Sequence, residues 1–316
     1  MRKGTKFEGP FRVIAVILVS VMVLSASGCI GSRSGHETQT QGPVLNQTKL
    51  SFHIYSTSTS TCDSLKERIK STFDTSNISC SSLSQTSISA LKEYAGIDSK
   101  SIVAIMYNGT LKAVIAGNFG KELKKQSVYD TVEKGIREGG IVLVNGNEQK
   151  VLKGNTAFYV ATVLVTNIVP SKLHFYMYGE HTCPHCRDML RWIPKIYGNK
   201  SLTFYDLVGS SYNRELFMEL YRLIGVTGVP VIGVTYNGTL RAVINSEYNA
   251  SATPSIVRSA INNDGVLIYI GKWYILYYNR NSSRILINAL YKIFVDHKTV
   301  NTTEVLKEAN AAKSKS

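Results

Sequence analysis

Residues 173–186 read Leu-His-Phe-Tyr-Met-Tyr-Gly-Glu-His-Thr-Cys-Pro-His-Cys, a short apolar run followed by two cysteines two residues apart. Leu173–Tyr178 has the length and character of a strand. The residues after Cys186 read as a helix, so Cys183-Pro184-His185-Cys186 falls at a strand-to-helix turn. Free backbone N–H groups and the positive end of the helix dipole favour a thiolate over a thiol at such a place. The two-residue spacer brings both sulfurs into one helical turn, so a Cys183–Cys186 disulfide can close and reopen without refolding. His185 adds a donor or a positive charge beside Cys183. A Cys-x-x-Cys pair alone also suits zinc, with His181 as a further ligand, or a plain structural disulfide.

Working outward, the chain repeats itself. Ile102-Val-Ala-Ile-Met-Tyr-Asn-Gly-Thr-Leu-Lys-Ala-Val-Ile115 answers Val231-Ile-Gly-Val-Thr-Tyr-Asn-Gly-Thr-Leu-Arg-Ala-Val-Ile244. Upstream, Leu50–Tyr55 answers Leu173–Tyr178, and downstream Ile141–Leu152 answers Val266–Leu276. A self-match at a nearly constant offset indicates duplication. In the second copy the strand and helix are followed by a strand around Leu202–Leu207. A helix over Tyr212–Ile224 comes next, with Leu216, Leu220 and Leu223 on one face. The Asn237-Gly238 pair suits the positive φ of a tight hairpin turn. A helix near Pro254–Asn262, a second hairpin and an amphipathic helix through Ile285–Phe294 close the copy. The expected fold class is α/β, two mixed sheets flanked by helices.

Around these elements the residues resemble a known family. Residues 173–262 are similar to a thioredoxin-fold domain, and Cys183-Pro-His-Cys186 resembles the active site of the DsbA type of disulfide oxidoreductase. Tyr221-Arg-Leu-Ile-Gly-Val-Thr-Gly-Val-Pro-Val231 resembles the thioredoxin segment that ends in a cis-proline. The resemblance implies two tandem thioredoxin-like domains, each with an extra C-terminal hairpin and helix. It implies Pro230 as the cis-proline beside the cysteines, and the Val229-Pro230 backbone as the place where an extended substrate segment pairs. Two departures stand out: Glu180-His181-Thr182 occupies the place of the tryptophan that thioredoxins carry, and Pro194 lies further along the helix than the familiar kinking proline. Glu180 is a candidate proton acceptor for Cys186 or a plain surface carboxylate. Trp192 and Trp273, with nearby tyrosines, are either core or a peptide-binding surface.

The first copy lacks both marks. Ser58-Thr-Ser-Thr-Cys62-Asp-Ser64 stands near the position of the Cys183–Cys186 pair, and Ser101 aligns with Pro230. The second strand of this fold approaches the start of the first helix, which implies a structural disulfide Cys62–Cys80; two free thiols or an auxiliary redox pair are the alternatives. The first copy is read as degenerate, a scaffold or docking domain.

The 316 residues are 44% hydrophobic and 18% charged, a globular balance that excludes a wholly disordered chain. No apolar run is long enough to make a multi-pass membrane protein. The formal charge of +14 is scattered, with no nucleic-acid motif, so no nucleic-acid partner is expected. Residues 1–28 read as a signal peptide, with Arg2, Lys3 and Lys6 ahead of the apolar Val13–Leu24 run. Ser27-Gly-Cys29-Ile-Gly31 resembles the lipobox of archaeal lipoproteins, which implies lipid on Cys29; an uncleaved anchor helix and plain secretion with a free Cys29 are the alternatives. Residues 29–49 read as a flexible tether and 299–316 as a disordered tail. Eight Asn-x-Ser/Thr sequons, starting at Asn46, Asn77, Asn108, Asn199, Asn237, Asn249, Asn281 and Asn301, fit a glycosylated exterior protein.

The expected organisation is a degenerate domain over 50–170 and a redox domain over 171–298. The expected function is thiol–disulfide exchange with protein substrates by a lipid-anchored protein facing the cell exterior. Cys183 exchanges with substrate, Cys186 resolves, and Pro184 and His185 tune the thiolate. A redox recycling partner is required, and neither cofactor nor metal is called for. The alternatives are an exterior reductant serving metal- or haem-binding proteins, and a redox-inactive surface binding protein.

Overall fold

The computed structural model describes residues 45–117 and 119–314. The signal peptide and Cys29 lie outside these residues. The first sheet is built from β1 (Leu50–Ser56), β2 (Ile78–Ser81), β3 (Ser101–Tyr107), β4 (Thr110–Ala116), β5 (Ile141–Asn145) and β6 (Glu148–Leu152). Its strand order is β2-β1-β3-β4-β5-β6. β1 is parallel to β2 and antiparallel to β3, and β3 is antiparallel to β4. The second sheet repeats the plan with β7 (Leu173–Gly179), β8 (Leu202–Asp206), β9 (Val231–Tyr236), β10 (Thr239–Ile244), β11 (Gly265–Tyr269) and β12 (Trp273–Tyr277). Its order, β8-β7-β9-β10-β11-β12, matches the first sheet strand for strand. A parallel pair at one end, a central antiparallel hairpin and flanking helices make each sheet a thioredoxin-like unit, extended by a second hairpin.

Local chemistry accounts for the joints. Asn108-Gly109 and Asn237-Gly238 all have positive φ, as the tight turns of the two central hairpins require. The helices are α1 (Thr59–Phe73), α2 (Gln85–Ala95), α3 (Lys125–Arg137), α4 (Gly154–Thr166), α5 (Pro184–Tyr197), α6 (Ser211–Ile224), α7 (Thr253–Asn262), α8 (Asn281–Phe294) and α9 (Thr302–Lys313). Ser58 caps α1 by accepting from Thr61 N–H, and Ser210 caps α6 by accepting from Asn213 N–H. Period-2 burial in β7 sends Leu173, Phe175 and Met177 to a core with Met189, Ile193 and Tyr197 of α5. Tyr176 and Tyr178 face the other side, against Leu216, Leu220, Leu290, Ile293 and Phe294 of α6 and α8.

The division into compact units is not the division into sequence copies. Residues 45–82 with 99–152 form one unit, and 83–98 with 153–314 form the other. α2 and α4 therefore belong to the second unit although they lie in the first copy. The sequence of α4 carries the apolar run Ala157-Phe-Tyr-Val-Ala-Thr-Val-Leu-Val165, of which Val160, Val163 and Leu164 are buried. It meets α2 through the Tyr94 and Tyr159 rings, 4.9 Å apart, and meets α5 through Tyr159 Oη donating to the Ile196 carbonyl at 2.6 Å.

Two expectations about the ends are corrected. The tether does not run to residue 49: Leu45 is buried in the first core and Gln47–Lys49 form a 3-10 turn. Nor is 299–316 a disordered tail, because α9 occupies Thr302–Lys313. Val300, Val305 and Leu306 pack on the core beneath α6 and α8, and buried Glu219 accepts the Val300 N–H at 3.0 Å. Few apolar residues suffice here because the helix covers an existing core. Among the described residues no helix is long and apolar enough to cross a membrane.

Candidate redox site

β7 ends at Gly179, the chain turns through Glu180–Thr182, and Cys183 becomes the N-cap of α5. Pro184 sits at the first helical position, where a missing N–H costs nothing. The turn is closed by Cys183 N–H donating to the Glu180 carbonyl at 3.1 Å. In place of a hydroxyl cap, Cys183 Sγ accepts the Cys186 N–H at 3.4 Å. This cap holds a backbone donor on the Cys183 sulfur. Cys183 is half-buried, and its Sγ lies 3.9 Å from the Val229 carbonyl.

Cys186 is fully buried behind it, at 0% exposure. Burial pushes its thiol up to about 12, against the opposing effect of a backbone hydrogen bond with Glu180. Cys183 and the Glu180 carboxylate push it further up. The space for this sulfur comes from Gly179, where a Cβ would stand 2.9 Å from Cys186 Sγ and 3.2 Å from the Phe204 ring. Cys183 and Cys186 stand as free cysteines in this structure.

The Val229-Pro230 peptide is cis, and the Val229 carbonyl faces Cys183 Sγ. The structure thus brings together Cys183, Pro184, His185, Cys186, Val229 and Pro230. A groove of about 860 Å³ runs alongside, lined by His185, Trp192, Val229, Asn245, Glu247 and Tyr248 among others. Trp192 is part of this wall; Trp273, on the edge strand β12, instead lies tilted against Tyr269 of β11, 5.0 Å between centroids. His181 is exposed, with its ring edge on Phe204 and its Nε2 3.9 Å from an Asp206 oxygen. Among the described residues no group of three or more His, Cys, Asp or Glu side chains is placed to hold a metal.

Sequence reasoning did not single out Glu247 or Asn245. Glu247 Oε2 meets His185 Nδ1 at 2.5 Å, and Asn245 bonds the backbone on either side of Val229. Both residues lie on the loop after β10, remote in sequence from the cysteines. The internal repeat held a usable signal, since the first copy has Ala116 and Asn118 at these two positions.

In the first unit Cys62 and Cys80 are joined as a disulfide, with their Cα atoms 6.3 Å apart. Counted back from the helix ends at Phe73 and Tyr197, Cys62 stands at the place of Cys186. β1 pairs Phe52 with Ile78 and β7 pairs Phe175 with Leu202, so Cys80 stands at the place of Phe204.

The strand order and the paired cysteines at a helix start define the class: a tandem of thioredoxin-like units of which one carries a dithiol. No protein-family model matches the chain, and no curated protein matches it in sequence. Among solved structures, the N-terminal domain of the alkylhydroperoxide reductase AhpF from Enterococcus faecalis is 14% identical, with 67% of this chain and 91% of that chain covered and a TM-score of 0.20. The zinc-bound form of human ERp44 is 12% identical, with 68% of this chain and 52% of that chain covered and a TM-score of 0.17. Likenesses this distant carry no argument, and the class rests on the strand order and the site.

Proposed function

We propose that this chain is a thiol–disulfide oxidoreductase acting on protein substrates through Cys183 and Cys186, tethered to the membrane by lipid on Cys29 and facing the cell exterior. The observation that carries the reading is the pairing of an accessible N-cap sulfur, Cys183, with a buried sulfur one helical turn on. In the oxidised protein, a substrate thiolate attacks Cys183 Sγ, the Cys183–Cys186 bond breaks and Cys186 leaves as the thiolate. The resulting mixed disulfide is then displaced by a second substrate thiolate, which forms the substrate disulfide and releases Cys183. The two electrons taken from substrate leave to an exterior recycling oxidant.

The Cys186 N–H directed at Cys183 Sγ supports an oxidase or isomerase reading over a reductase one. Cell-surface placement rests on the first thirty residues and on the sequons. Their eight asparagines are all exposed, each open to glycan attachment.

Glutathione equilibration of the full-length protein tests the reading. A couple near about −120 mV marks a disulfide donor, and one near about −270 mV marks an exterior reductant. A pair that never equilibrates leaves a binding protein with a structural dithiol. Radiolabelled lipid incorporation, lost in Cys29→Ser, tests the tether.

A further inference from the structure

A single side chain makes three hydrogen bonds to the segment Thr227–Pro230. Asn245, directly after β10, accepts the Thr227 N–H on Oδ1 at 2.9 Å. Its Nδ2 donates to the Gly228 carbonyl at 2.6 Å and to the Pro230 carbonyl at 3.3 Å. Its own N–H donates to the Tyr269 carbonyl at 2.9 Å, which ties the clasp to β11. These bonds take up backbone groups on both sides of Val229, the residue whose carbonyl faces Cys183. Two residues along the same loop, Glu247 is bonded to His185 and is only 28% exposed. The stretch Asn245-Ser246-Glu247 therefore bridges the two halves of the site.

The first copy supplies an internal control. Matching Ile115 with Ile244 puts Ala116, Gly117 and Asn118 in place of Asn245, Ser246 and Glu247. The equivalent of the 227–230 segment ends at Ser101 and holds itself locally: Ser99 Oγ donates to the Ser101 carbonyl at 2.7 Å and accepts its N–H at 3.2 Å. The sheet and its central hairpin form without the asparagine clasp. The clasp is present where the dithiol is present and absent where it is absent, so it serves the site and not the fold.

We propose that Asn245 is a positioning residue of the exchange site. It fixes the 227–230 backbone in the shape against which an extended peptide lies while its sulfur meets Cys183, and Glu247 anchors the opposite flank through His185. The proposal rests on the exchange reading and adds the element that makes the reaction selective for peptide disulfides. A small disulfide without a peptide backbone has nothing to align on this segment and gains nothing from the clasp.

The test uses the full-length protein in detergent, carrying Cys186→Ser so that reaction stops at the mixed disulfide. Cys183 as thiolate attacks the reagent, one Cys183–S–S–R bond forms, and the other half of the reagent leaves as a thiolate. Rates are measured with an unstructured peptide disulfide and with bis(2-hydroxyethyl) disulfide. Asn245→Ala is expected to slow the peptide about tenfold or more while the small reagent changes by less than about twofold. Asn245→Asp keeps the acceptor for Thr227 and loses the donor to Gly228 and Pro230, so it falls between. It is also nearly isosteric and covers the case in which the alanine variant does not fold. Equal slowing of both reagents, or of neither, overturns the proposal and leaves the exchange reading standing. A protein with Asn245 intact that reacts with neither reagent removes the exchange reading and the clasp with it.

Discussion

Ser58 caps α1 and Cys183 caps α5, and each accepts the N–H three residues on at 3.4 Å. One helical turn inside, each helix buries a sulfur against its sheet, Cys62 in one unit and Cys186 in the other. The difference lies in what that sulfur can reach. Cys62 is bonded to Cys80 on the neighbouring strand, and its capping residue is a hydroxyl. Cys186 has Phe204 where the first unit has Cys80, so its reactive neighbour is the capping sulfur itself. The same backbone thus makes a static cross-link when the second sulfur comes from a strand. On the proposed reading it makes a reversible one when both sulfurs share a helical turn and one is accessible. A redox site on this frame is then a matter of where the second cysteine stands.

The largest expected effect comes from removing that second sulfur. Cys183→Ser converts the α5 cap into the α1 cap and should abolish peptide-disulfide exchange, a loss of about a thousandfold or more. Cys186→Ser should instead accumulate mixed disulfides on Cys183, visible as adducts on a non-reducing gel. If both variants retained turnover, the two units would differ in fold detail and not in chemistry.

In the first unit the corresponding change is energetic. Cys62→Ser with Cys80→Ser opens a cross-link that spans 18 residues, and should lower that unit's stability by about 3 kcal/mol. Exchange through Cys183 should be unaffected. Denaturant unfolding followed beside the peptide assay separates the two. A joint loss would mean that Cys62–Cys80 takes part in the electron path.

A smaller effect is expected at Gly179, which matches Ser56 at the end of β1. Ser56 Oγ shares a hydrogen bond with Ser101 Oγ at 3.1 Å, so in the first unit the two positions are closed over by side chains. In the second unit they are Gly179 and Pro230, and the room is taken by Cys186 Sγ. Gly179→Ala forces the buried thiol aside, at a cost of roughly 1–3 kcal/mol. When the reduced protein attacks a peptide disulfide, resolution of the mixed disulfide should slow more than its formation, because in that direction the displaced sulfur, Cys186, is the resolving one. Stopped-flow rates for the two steps check the order.

How much of this was legible from sequence follows from the range of the interactions. The repeat, the strand Leu173–Tyr178 and the Asn-Gly hairpins are local patterns, and periodicity with turn chemistry sufficed for them. Cys183 and Cys186 are adjacent in sequence as in space. The clasp of Asn245 is different: its partners lie 15 to 18 residues upstream, and those of Glu247 lie 62 residues away. A solvated loop asparagine and a clasping one read alike until the chain is folded. The assignment of α2 and α4 to the second unit was likewise hidden, because an apolar helix announces that it is buried but not by what. α9 was missed because it contributes only a few apolar contacts to a core already built by α6 and α8.

That last helix carries the finest difference between the copies. α6 ends at Gly225 and α2 at Gly96, so Glu219 occupies the place of Ala90. Ala90 is a small buried residue in a helix packed on α4, whereas Glu219 is a carboxylate at 4% exposure that receives the Val300 N–H ahead of α9. Burial raises its pKa above the usual 4.5, and the Val300 hydrogen bond only partly offsets this. A raised carboxyl binds its proton more tightly in the folded state. Its contribution to stability is therefore present below pH 4.5 and is lost as pH climbs through the raised value. Glu219→Gln keeps an acceptor for Val300 without the charge, so it should remove that pH dependence and change neutral stability by about 0.5 kcal/mol or less. Glu219→Ala recreates the first copy's residue and leaves the Val300 N–H without its partner, at about 1 kcal/mol, with faster amide exchange confined to 300–313. Protection that stayed unchanged along α9 would assign its docking to Val300, Val305 and Leu306 alone and strip the carboxylate of any part in the difference.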